Sequence, residues 1–107
     1  MPADVKNLKE FVGGGGSEAS IRQMFLGMQM QTEILTLDEG QYVSPRSTAL
    51  ADTLLLVLGG EGVVELGDEV LVLTRHMTVL VPPGETAGII NEGIDPLIML
   101  RVTSPPE

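Results

Sequence analysis

The most informative part of the chain is TLLLVLGGEGVVELGDEVLVLT, residues 53–74. It reads as three short strands, 53–58, 62–66 and 69–74, parted by Gly59-Gly60 and by Gly67-Asp68. Each run is rich in Leu and Val, residues that suit a pleated, half-buried surface. Gly67-Asp68 between two such runs predicts a hairpin tip, since glycine reaches the backbone angles of a two-residue turn. Leu54 to Leu58 is apolar at both parities, so both faces of that strand want cover.

Working outward, strand-like segments recur at 41–48, 77–81, 86–91 and 96–103, with Pro82-Pro83-Gly84 and Asn91-Glu92-Gly93 between them. Short strands at regular spacing with glycine turns predict an all-β sandwich or barrel. Upstream, Met24, Leu26, Met28 and Met30 alternate with Phe25, Gly27, Gln29 and Gln31, which reads as one strand with an apolar face. Leu35 and Leu37 take the opposite parity, so a bulge or bend is expected near Gln31–Glu33. Asp38-Glu39-Gly40 is a turn. Residues 1–12 hold a short helical pattern, Gly13 to Gly16 read as a flexible linker, and Ser104-Pro105-Pro106-Glu107 reads as a surface tail. The expected division is an N-terminal extension (1–23), a barrel (24–103) and the tail (104–107).

With 107 residues there is room for one domain. Its core must be aliphatic, because Phe11, Phe25 and Tyr42 are the whole aromatic content. The net charge of −9 repels phosphate, so neither nucleic acid nor an anionic membrane is an expected partner. Cysteine is absent, which excludes disulfides and thiolate metal sites. No leader pattern opens the chain and no apolar run is long enough to span a bilayer, so a cytoplasmic location is expected. One histidine, His76, offers no zinc spacing and no orienting partner. It is read as an exposed turn residue, and the methionines as gap-fillers in the core.

Spacing takes the reading further. Gly40 is followed by five residues, then Arg46-Ser47-Thr48, then after three more Asp52, and after six more Gly59. Downstream, His76 is followed by five residues, Pro82-Pro83-Gly84, Ala87 and Asn91. These two patterns, in register and separated by a hairpin, resemble the paired motifs of the cupins. The resemblance covers residues 24–103 and implies a double-stranded β-helix, the jelly-roll barrel of RmlC-like proteins. Such motifs carry His-x-His and Glu in the first and His in the second, which together hold a metal. Here those slots fall on Arg46, Thr48, Asp52 and Ala87, and His76 stands in a glycine slot. Arginine has no acceptor lone pair and alanine no donor atom, so the resemblance implies no metal and no other cofactor.

Arg46, Thr48 and Asp52 share even parity with Tyr42, and these four are the candidate ligand-binding residues of a barrel pocket. Arg46 and Asp52 are expected to form an internal ion pair filling the vacated metal site. Alternatively Arg46 receives the anionic group of a small ligand, or reaches solvent. Three functions remain open: a non-catalytic module binding a small organic molecule, a structural module with a filled barrel, and a metal-independent enzyme using Arg46, Asp52 or Tyr42. By resemblance to small cupins, a homodimer is expected.

Overall fold

The computed structural model describes residues 3–107. In these, a 3₁₀ turn at Leu8–Phe11 precedes nine strands: β1 (Ser20–Leu26), β2 (Gln31–Leu37), β3 (Tyr42–Ser47), β4 (Asp52–Gly59), β5 (Glu61–Leu66), β6 (Glu69–Thr74), β7 (Thr78–Val81), β8 (Thr86–Ile90) and β9 (Leu97–Ser104). They form two antiparallel sheets, β1-β2-β9-β4-β7 and β3-β8-β5-β6. The expected all-β class and the hairpin at Gly67-Asp68 are both present, with Gly67 at φ 58°.

The core lies between the sheets. Leu35, Leu37, Leu55, Val57, Leu97 and Met99 of the first sheet belong to one buried cluster with Val64, Leu73 and Ile89 of the second. Alternation produces this: Leu35 pairs with Met99 and Leu37 with Leu97, so neighbours in the ladder share the inner face. Burying each such side chain contributes about 2 kcal/mol. At the barrel's end, Asn91 is fully buried and stitches three segments. Its amide nitrogen donates to the carbonyls of Leu37 and Asp95, and its Oδ1 accepts from the Gly93 amide.

Three expectations are corrected. Residues 24–31 are not one strand: β1 ends at Leu26, the Gly27 amide donates to the Met30 carbonyl, and β2 begins at Gln31. Glycine at position 27 closes this turn, and the irregularity in the ladder falls at Met24, not at Gln31–Glu33. The methionines divide accordingly. Met99 is in the core, whereas Met28, Met30 and Met77 are exposed. Finally, the glycine-rich segment is tied down. The Gly13 amide donates to Thr36 Oγ1, the Gly15 amide to Asp38 Oδ2, and Gln41 Nε2 to the Gly16 carbonyl. His76 is an exposed turn residue at φ 75°, as its glycine slot implied.

Candidate functional site

The first residues of the site come from β3, whose pairing with β8 slips between Val43 and Arg46. Val43 opposes Ile89 and Arg46 opposes Ala87, so Ser44-Pro45 together face Gly88. Proline cannot donate to a ladder, and a bulge accommodates it. Glycine at 88 leaves room, since a Cβ there would lie 3.0 Å from Pro45 Cγ. The bulge exchanges parities: Val43 lines the barrel before it and Arg46 after it. Tyr42 therefore turns outward, 64% exposed, and lines a separate surface depression with Ser17 and Gly40.

A turn then carries the chain into β4. Thr48 is buried at its start, its hydroxyl donating to the Ala51 carbonyl at 2.7 Å. Parity does not survive this turn either. The inward residues of β4 are Thr53, Leu55 and Val57, and Asp52 is exposed. A spacing of three residues after Thr48 puts the acidic slot at Asp52, whereas the structure turns the next residue inward, a spacing of four. The slot is Thr53, and the closing glycine is Gly60, not Gly59. Gly60 has φ 75°, and a Cβ on it would meet the Pro96 carbonyl oxygen.

Arg46, Thr48, Thr53 and Ala87 thus converge on one cavity of about 80 Å³ inside the barrel. Ser44, Glu85 and Arg101 add polar groups, while Ile21, Val43, Leu55, Val81 and Ile89 form apolar wall. The expected Arg46–Asp52 pair is absent. Arg46 instead pairs with Glu107 at 3.5 Å, with its side chain half exposed. The buried ion pair of the barrel is one that sequence reading missed: Arg101 Nε donates to Glu33 Oε1 at 2.9 Å, with side chains 9% and 14% exposed. The two residues face each other across the β2–β9 ladder. The signal available was the alternation Leu97, Met99, Arg101, Thr103, which puts Arg101 on the buried face. Chemically, the four motif slots present one guanidinium, two hydroxyls and a methyl group. The cavity can donate several hydrogen bonds but supplies a single carboxylate, Glu85.

No family model matches the chain, and no curated protein matches it. Solved structures do. TT1209 from Thermus thermophilus is 27% identical with a TM-score of 0.90, over 96% of this chain and 98% of that one. An uncharacterized conserved protein with a double-stranded β-helix domain from Klebsiella pneumoniae is 19% identical with a TM-score of 0.90, over 97% and 91%. An RmlC-like cupin protein from Desulfovibrio desulfuricans is 21% identical with a TM-score of 0.87, over 99% and 100%.

Proposed function

We propose that this chain, which has the double-stranded β-helix fold of the cupins, is a metal-free, non-catalytic module that binds a small organic molecule in its barrel. The observation that carries this reading is the cavity itself, whose lining combines apolar side chains with Arg46, Thr48, Thr53, Glu85 and Arg101. Apolar walls with a few convergent polar groups are the usual make-up of a ligand site. The residues do not fit a divalent metal. A guanidinium at one slot repels a cation, alanine at another has no donor, and two neutral hydroxyls are poor substitutes for imidazoles. Among the described residues, no three His, Asp or Glu side chains are grouped to hold an ion.

Catalysis by Arg46, Asp52 and Tyr42 acting together is disfavoured because only Arg46 lines the cavity. The test is native mass spectrometry of freshly purified protein beside denaturing mass spectrometry and elemental analysis. The expected result is a small organic mass retained only under native conditions, with well under one metal per chain. Stoichiometric transition metal would overturn the metal-free assignment. An empty barrel that also gives no thermal shift with a broad panel of small organic compounds would overturn binding.

A homodimer is the second part of the proposal. The outer face of the five-stranded sheet carries Leu54, Leu56, Leu80, Leu100 and Val102 as ladder neighbours. Leu54 and Leu80 stand exposed upon it. A second copy of the chain is the proposed cover, in a soluble protein working in the cytoplasm.

A further inference from the structure

We propose that the ligand of the barrel cavity is a short-chain monocarboxylate, gripped by the terminal nitrogens of Arg101. This rests on the binding reading above and adds to it the chemical class and the anchor. Arg101 projects from β9, the central strand of its sheet, onto the face that bounds the cavity. Its side chain is 9% exposed. Only Nε is engaged, by Glu33. Among the described residues, neither Nη nitrogen makes a hydrogen bond, and Arg101 is part of the cavity lining.

A guanidinium held this way is a prepared half of a fork. Glu33 fixes its plane from one edge, and the other edge presents parallel N–H groups at the spacing of carboxylate oxygens. The remaining guanidinium donors face solvent in a narrow cavity, and exchanging that water for a paired carboxylate forms charge-assisted, bidentate hydrogen bonds. The surroundings narrow the class. Arg46 and Arg101 are balanced by Glu85 in the lining and by Glu33 on Arg101, so the site carries no excess positive charge and suits a monoanion better than a dianion such as phosphate. The cavity, about 80 Å³, has room for on the order of five water-sized groups. Leu55, Val81 and Ile89 in its wall suit a short aliphatic tail.

The test uses the intact protein in low-chloride buffer, titrated with butyrate, butyramide and inorganic phosphate. Calorimetry gives affinity, and amide shifts at Thr53, Ala87 and Arg101 report the place. Butyrate is expected to bind at least tenfold tighter than butyramide. Glu33→Gln keeps an acceptor for Nε but removes the competing charge, so it should tighten butyrate severalfold. Combining Glu33→Gln with Arg101→Gln strands no charge and should weaken butyrate at least tenfold, with the fold checked by circular dichroism. Equal binding of butyramide, or tighter binding of phosphate, would overturn the monocarboxylate while leaving the binding site intact. Butyrate binding that the double variant retains would overturn Arg101 as anchor. Binding of none of the three to the folded protein would overturn this proposal alone, since the reading beneath it stands or falls on the retained mass and the broad compound panel.

Discussion

Two adjacent glycines, Gly59 and Gly60, differ completely in what they tolerate. A Cβ at Gly59 would meet nothing closer than Ile98 Cδ1 at 3.8 Å, whereas at Gly60 it would strike the Pro96 backbone in a left-handed conformation. Gly60→Ala should therefore cost about 2 kcal/mol or more, and Gly59→Ala within about 0.5 kcal/mol, measured by urea denaturation. Charged residues divide the same way. Glu33→Ala leaves Arg101 largely buried without its partner and should cost about 3 kcal/mol. Replacing both with apolar residues of similar volume should restore much of that loss, and a double-mutant cycle should show coupling well above about 0.5 kcal/mol. Asp52→Ala, at an exposed position, should change stability by no more than about 0.5 kcal/mol.

Strand β3 shows what an element adds to its residues. Its bulge is shaped by Pro45 packed on Gly88, so Gly88→Val should destabilise by about 2 kcal/mol through overpacking. Pro45→Ala should relieve part of that loss in the double variant, as chemical denaturation of all three variants would record. The bulge also explains how far the site could be read from the sequence. Strand positions from 53 onward were legible because alternation, glycine turns and the Gly67-Asp68 hairpin agree. Arg46 and Thr48 were legible from motif spacing, and both line the cavity. Tyr42 and Asp52 were misplaced because period-two reasoning was carried across a bulge on one side and a turn on the other, and each resets parity. Arg101 went unseen for a different reason. Its partner Glu33 lies 68 positions away, and only the β2–β9 ladder brings the two together.

At the scale of the whole molecule, the outer sheet face leaves Leu54 36% and Leu80 59% exposed, side by side in the β4–β7 ladder. Sedimentation at micromolar concentration should give a dimer, and Leu54→Asp with Leu80→Asp should give a folded monomer. A clean monomer for the unaltered chain would rule this interface out. The strand order carries a different kind of consequence. β9, last of the described strands to be made, lies between β2 and β4 and is the only link between them in the sheet. On the ribosome, two Leu-rich strands must wait with open edges until residues 97–104 have cleared the exit tunnel. Folding should thus be a late, all-at-once event, in the slow range of non-local β topologies. The interval before it is when the nascent chain is most exposed to aggregation and most in need of a chaperone.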